Sequence, residues 1–282
     1  MRKSKEFLEQ YNTPNYRIID NDCVGGGYCY IYFSGNGIYD PDTLEVFRNK
    51  IILNDRYEWL RWKSKSSREI FIRDIYKEWY LRGISAKYNN IEKVYMLLKE
   101  LSQGYKVVTV GSSAGGYAAV LFGCLLKAEK VFAFSAQFNL TDWLAKRNIL
   151  NSSEVLEQNQ YIDITSKIVN SHTQIYYFYP AYSDVDKIQS DFVVEIKNVH
   201  IFGIKSSLHG RALYPNCIPD LLAANDKKLE ILKKNYVNKI VSPFKMALKI
   251  SGLRKAVIGF MIGVAKPVLY QYKDWLRKNI KR

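Results

Sequence analysis

Histidine is scarce in this chain: three occur in 282 residues, at His172, His200 and His209. Any proton transfer that depends on an imidazole therefore has three candidates. Cysteine is almost as rare. Cys23, Cys29, Cys124 and Cys217 show no CxxC or other zinc-type spacing, which argues against a structural metal and a disulfide framework. They read as the reduced thiols of a cytoplasmic protein. The first twenty residues contain no apolar run of signal-peptide length and carry Glu6 and Glu9, so no N-terminal secretion signal is expected. Internal repeats and low-complexity segments are absent too.

Apolar residues make up 48% and aromatics 14%, enough to build a core. The length fits one large α/β domain, alone or with an appendage. The 22 tyrosines suit sugar-binding or interfacial surfaces, although many are expected simply in the core or in half-buried strands. The net charge of +15 is uneven: from Pro243 to Arg282 ten Lys and Arg face a single acid, Asp274. A basic tail on a more ordinary body points to an anionic surface as partner.

The order of elements predicts an α/β fold. "YRIID", "GYCYIYFSG", "REIFIRD", "KVVTV", "KVFAFSA", "QIYYFYP" and "VHIFGI" read as strands. "IEKVYMLLKELSQG" has helical periodicity, with Gly104 as its C-cap, and a second helix runs from Ala114 to Leu126. Strands alternating with helices imply right-handed crossovers and a mainly parallel sheet. Residues 137–170 exceed what a crossover needs, and an insertion there is expected to cap a pocket.

Between "KVVTV" and the second helix lies "GSSAGG", residues 111–116. A strand, a sharp turn carrying Gly-x-Ser-x-Gly and a helix together form a nucleophile elbow, with Ser113 at its tip. Gly111 and Gly115 remove Cβ atoms that would collide in the turn, and the helix start offers free N–H groups to a developing oxyanion. The competing explanation is a tight structural turn. A serine also needs a base. His200 sits inside a strand and reads as structural, and His172 precedes one. His209, in the loop "KSSLHGRAL" after the last predicted strand, is the candidate. A carboxylate must orient that base. The segment "YPAYSDVDKIQS" offers Asp186, which is preferred, and Asp184; either can instead cap a helix.

With its elbow, its Asp loop and its His loop in that chain order, the sequence resembles the α/β-hydrolase superfamily over roughly residues 17–235. "FIRDIYKEWYLRGI" ahead of "VGSSAGGYAAVLFG" also resembles bacterial hydrolase-like proteins of surface-polysaccharide biosynthesis, a group that includes capsule O-acetyltransferases with a serine triad. The sequence departs from lipase-type members in lacking HGGG; "FSGNG" stands where an oxyanion-hole loop belongs. The resemblance implies that the N–H of Ala114 and one from Ser34, Gly35 or Asn36 bind the oxyanion. Asp74, Trp79 and Tyr80 follow a strand on the same expected rim, where aromatics can stack on a sugar ring; a packed Trp is the alternative. The implied activity is acyl transfer or ester hydrolysis on a carbohydrate, namely O-acetylation or deacetylation of a bacterial surface polysaccharide or its precursor. Acetyl-CoA is the implied donor, and no bound cofactor or metal is expected. The alternatives are a lipid-directed esterase and a non-catalytic scaffold of an export complex.

Residues 1–240 are read as the catalytic domain and 241–282 as the tail. Ile250, Leu253, Val257, Phe260, Met261 and Val264 fall on one helical face, and Pro267 is expected to break the run. A second segment follows with Tyr272, Trp275, Leu276 and Ile280, and with Lys273, Arg277 and Lys281 at every fourth residue. The longest uncharged stretch of the tail, "AVIGFMIGVA", has ten residues, about half the roughly 20 needed to span a bilayer. The tail is expected to lie on the inner face of the cytoplasmic membrane. A helix docked on the body is the alternative. Nucleic acid is not expected, since no binding module accompanies the charge.

Overall fold

The computed structural model describes residues 1–21, 27–62, 66–210 and 212–279, with Glu154 and residues 264–279 described by backbone alone. Eight strands form one sheet: β1 (Tyr16–Asp20), β2 (Tyr28–Phe33), β3 (Arg68–Ile72), β4 (Lys106–Ser112), β5 (Lys130–Phe134), β6 (Gln174–Pro180), β7 (Val199–Ile204) and β8 (Lys239–Val241). Their spatial order is β1-β3-β2-β4-β5-β6-β7-β8. β1 runs antiparallel to β3, and the other pairings are parallel. Helices cover both faces, giving an α/β-hydrolase-like architecture. The seven strands expected from the sequence are present. β8, three residues long, carries too little pattern to be read.

The tyrosines and phenylalanines of the sheet are mostly spent inside. Because side chains alternate across a strand, Val107, Val131 and Ala133 face one core layer while Val108, Val110, Phe132 and Phe134 face the other. In the second layer parallel pairing aligns aromatics across strands. Phe132 stacks on Tyr176 at 5.5 Å, Phe134 on Phe178 at 5.6 Å and Phe178 on Phe202 at 4.7 Å. His200 closes one such row beside Tyr176. Its Nε2 lies 2.9 Å from Gln174 Oε1, and burial lowers its pKa to about 4, so it is a neutral structural imidazole at pH 7. Cys29 and Cys124 are likewise buried, and burial pushes their thiols up to about 12 and 11. Cys23 lies outside the described residues.

The segment after β3 corrects an expectation. Asp74, Trp79 and Tyr80 do not stand on an open rim: they are 4%, 2% and 0% exposed. Asp74 accepts four backbone N–H groups, from Tyr76, Lys77, Glu78 and Tyr80. Lys77, Trp79 and Tyr80 all hold positive φ, a conformation unfavourable for residues with a Cβ. The carboxylate is the hub that holds this turn, and burial raises its pKa to about 6 despite the N–H donors. The Tyr80 hydroxyl donates to Ser34 O and Trp79 Nε1 to Gln137 Oε1. These side chains buttress the loops near the sheet's carboxyl end and leave no face for a sugar.

Residues 137–170 form short helices (Thr141–Lys146, Ser153–Leu156 and Thr165–Val169) rather than a separate lobe. Phe138, Leu140, Leu144, Val155, Ile164 and Ile168 are fully buried in the first core layer. The insertion reaches the rim through Trp143, whose ring lies 6.3 Å from that of His209.

The tail also differs from its reading. The boundary expected at residue 240 falls inside β8, whose Val241 is buried and accepts the Lys205 N–H. The helix Pro243–Asn279 then docks on the body through Met246, Ala247, Ile250 and Ala256, all at most 1% exposed. Gly252 takes φ 81 and ψ 174, a non-helical step within it. Ile250 therefore faces inward, while Leu253, Val257, Phe260 and Met261 are exposed. The helical backbone continues past Pro267. Val264 and the side chains of Tyr272, Lys273, Trp275, Leu276 and Arg277, as well as Ile280 and Lys281, lie outside the described side chains. Among the described residues no helix is long and apolar enough to cross a membrane.

Candidate active site

The turn after β4 has almost no room for side chains. A Cβ on Gly111 would lie 1.9 Å from Gly115 O, and one on Gly115 would lie 2.2 Å from Phe33 O. Backbone does not yield to such contacts, so glycine is required at both positions. Between them Ser113 adopts φ 54, ψ −124, a strained conformation that costs about 1–3 kcal/mol. The strain is held by two hydrogen bonds: Ser113 N–H donates to Phe134 O at 2.8 Å, and Tyr117 N–H donates to Ser113 O at 3.0 Å. The result turns the Ser113 hydroxyl out over the carboxyl end of β4, at the start of the helix Ala114–Leu125. Ser112 ends the strand and points elsewhere, into the wall of a neighbouring cavity.

His209 follows β7, and its Nε2 lies 2.9 Å from Ser113 Oγ. On the other side of the ring, Nδ1 lies 2.9 Å from Asp186 Oδ2 and 3.0 Å from Oδ1. An ionised carboxylate can only accept, so the proton belongs on Nδ1 and Nε2 is left to accept from the serine hydroxyl. Asp186 is 1% exposed, whereas Asp184, two residues earlier on the helix Asp184–Asp191, is exposed. Asp186 and not Asp184 thus meets the imidazole. His172 is exposed just before β6, at the opposite end of the sheet.

Two further serines, not singled out in the sequence, fasten this arrangement. Ser183 Oγ donates to Asp186 Oδ2 at 2.6 Å. Ser135 Oγ accepts the Gly210 N–H at 3.0 Å, which ties the loop carrying His209 to the end of β5. Ser135 holds φ 47 and is fully buried. Each follows a strand directly or nearly so, the only signal that marks them.

The oxyanion candidates separate by geometry. Ala114 opens its helix, where N–H groups have no intrahelical partner. Ser34 N–H donates to Ile72 O, continuing the sheet pattern. Gly35 N–H donates to Glu58 Oε2 at 2.6 Å. Both are therefore engaged. Among the described residues Asn36 is the candidate of that loop whose N–H makes no hydrogen bond, and it opens the short helix Asn36–Ile38.

A cavity of about 660 Å³ reaches the elbow at Ser112 and the His209 loop at Gly210, with Ser113 and His209 themselves outside its lining. One wall is the run Arg56 to Trp62, and Ser112, Phe134, Gly210, Ala212, Leu213 and Ile218 complete it. The run is a loop between β2 and β3 without periodicity, so pattern reading passes over it. Its alternation of aromatic and charged side chains, "RYEWLRW", is the signal it offers. The insertion 137–170, expected to cover the pocket, contributes nothing to this lining.

No protein-family model matches the chain, and neither does any curated protein. Solved structures with a similar fold include the capsule O-acetyltransferase of Neisseria meningitidis serogroup A, at 16% identity and TM-score 0.47, over 68% of this chain and 84% of that one. The fluorophosphonate-binding serine hydrolase FphF of Staphylococcus aureus aligns at 12% identity and TM-score 0.48, over 76% and 94% of the two chains. MenH from S. aureus aligns at 11% identity and TM-score 0.42, over 79% and 99%.

Proposed function

We propose that this chain is a serine acyltransferase or esterase acting on a carbohydrate, with Ser113 as nucleophile, His209 as base and Asp186 as its orienting carboxylate. The observation that carries the reading is the unbroken relay from Asp186 through His209 to Ser113, set on a strained elbow. Ser113 Oγ attacks the acyl carbonyl while its proton passes to His209 Nε2. The Ala114 and Asn36 N–H groups stabilise the oxyanion. Collapse expels the donor's leaving group, which takes the proton from Nε2, and leaves an acyl-serine. A sugar hydroxyl, or water, resolves it by the same steps in reverse. Acetyl-CoA as donor and a bacterial surface polysaccharide as acceptor are what the sequence resemblance of residues 71–84 and 110–123 implies. A complete relay weighs against a non-catalytic scaffold, which has no need of one. Incubation with acetyl-CoA or p-nitrophenyl acetate should add the mass of one acetyl group to the intact protein, and Ser113→Ala should not gain it. A wild-type protein that stays unacylated by both donors overturns the reading.

The tail supports placement at the inner face of the cytoplasmic membrane, and a lipid-directed esterase is the second reading it favours. Leu253 and Met261, 63% and 59% exposed, stand on a helix carrying the exposed bases Lys245, Lys249 and Arg254. Since the first part of the helix is docked, deletion of the whole tail would damage the body. Leu253→Glu together with Met261→Glu touches only the exposed face. This variant should lose sedimentation with anionic vesicles while keeping its melting temperature and ester turnover. Wild-type binding should weaken at high salt through screening. Equal sedimentation of variant and wild type would remove the tail from membrane attachment.

A further inference from the structure

The cavity lined by Ser112 and Gly210 carries two arginines, Arg56 and Arg61, on one wall. Several arginines of the body meet carboxylates: Arg17 and Arg73 pair with Asp55, Arg48 with Glu6, Arg68 with Asp20 and Arg82 with Glu78, while Arg147 donates to Lys77 O and lies over the Trp79 ring. Arg56 and Arg61 line the cavity, and among the described residues neither has a carboxylate within ion-pair distance. The Arg61 guanidinium instead lies over the Trp62 ring, 4.5 Å from its centroid. The one acid of this wall, Glu58, is turned to the Gly35 N–H. Burial pushes its carboxyl up, and the fields of Arg56 and Arg61 oppose that shift. The wall thus carries an excess of positive charge in a concavity, where low-dielectric surroundings focus the field.

We propose that this cavity is the subsite for a phosphate-bearing part of the substrate, bound by Arg56 and Arg61. The inference rests on Ser113 being the nucleophile, because Ser112 and Gly210 in the cavity wall adjoin Ser113 and His209 in the chain. A guanidinium offers a planar fork of donors matched to phosphate oxygens, and two such forks on one loop suit a phosphodiester or diphosphate. A volume of about 660 Å³ holds a group of that size. The phosphate can belong to the acyl donor, as in a nucleotide-bearing thioester, or to a phosphorylated sugar acceptor.

Inorganic pyrophosphate, titrated calorimetrically into the full-length protein, tests the subsite without requiring turnover. Arg56→Ala and Arg61→Ala should each weaken binding about tenfold, the scale of one charge-assisted hydrogen-bond pair. The Arg56 carbonyl, which accepts from Arg73 Nη1, is untouched by its substitution. Glu58→Gln keeps an acceptor for Gly35 and removes the opposing charge, so it should tighten binding. Lys227→Ala with Lys234→Ala, exposed on the helix Asp226–Tyr236, controls for the overall positive charge and should leave binding unchanged. Ser113→Ala should also bind normally, so failure of the nucleophile assignment reads separately. If the phosphate is the donor's, Arg56→Ala raises KM for acetyl-CoA and leaves that for S-acetylpantetheine alone. If it is the acceptor's, acetyl-CoA kinetics are unchanged and transfer to a phosphorylated sugar falls. Absence of pyrophosphate binding, arginine variants that bind like wild type, or equal weakening in the lysine control would each overturn the proposal.

Discussion

Ser113→Ala is expected to lower turnover of p-nitrophenyl acetate by about 10⁴–10⁶-fold, and His209→Ala by a comparable factor. The two losses should not add, because the serine is reactive only while the imidazole 2.9 Å away takes its proton. The double variant should therefore be no slower than either single one. A fluorophosphonate probe should label wild type and fail on Ser113→Ala. Folding is not at stake in the serine change: the strained backbone is held through Ser113 N–H and Ser113 O, which alanine retains. His200→Ala provides the contrast. It removes a buried ring from an aromatic row, so the melting temperature should drop while turnover remains. Labelling that survives in Ser113→Ala, or full turnover in His209→Ala, would refute the assignment.

Local steric demand explains which parts of the site are readable in the sequence. The elbow is written in four consecutive requirements: a strand, two glycines whose Cβ positions are occupied by backbone, and a helix start. Nothing distant is needed to recognise it. His209 is readable because only three histidines compete and one end of the sheet excludes His172. The loops are another matter. Asp74 reads as a rim residue because it follows a strand, yet its carboxylate is consumed by four N–H groups of its own turn. That outcome depends on positive φ at Lys77, Trp79 and Tyr80, which no local preference of Lys, Trp or Tyr announces.

The tail fails for a different physical reason. A helical wheel assumes one continuous phase of 100° per residue. Gly252, in a non-helical conformation, resets that phase, so Ile250 and Leu253 share one face of the wheel although one is 1% and the other 63% exposed. Glycine tolerates both conformations, and the sequence alone does not choose between them. The cavity wall Arg56–Trp62 is not legible in the sequence because a loop has no period, and its residues acquire a common face only through the turn that places them beside Ser112.

Asp186→Asn is expected to cost about 10⁴-fold in turnover, and Asp184→Asn should change it by less than about twofold. On the helix Asp184–Asp191 the two positions are two residues, or about 200°, apart. They necessarily face opposite ways, and a sequence that places both in one first turn does not reveal which faces in. Burial decides: Asp186 is 1% exposed and receives Ser183 Oγ and His209 Nδ1. Asparagine preserves the shape but offers an N–H₂ group that favours the wrong imidazole tautomer, with the proton on Nε2 and no acceptor for Ser113. Ser183→Ala should give a smaller loss, since it removes a partner of the carboxylate and leaves its charge. Turnover measured beside fluorophosphonate labelling rates separates these cases, because both depend on the base while the melting temperature reports the helix. A silent Asp186→Asn with a crippled Asp184→Asn would mean that the helix turns over in the working enzyme, and the relay would have to be redrawn around the other carboxylate.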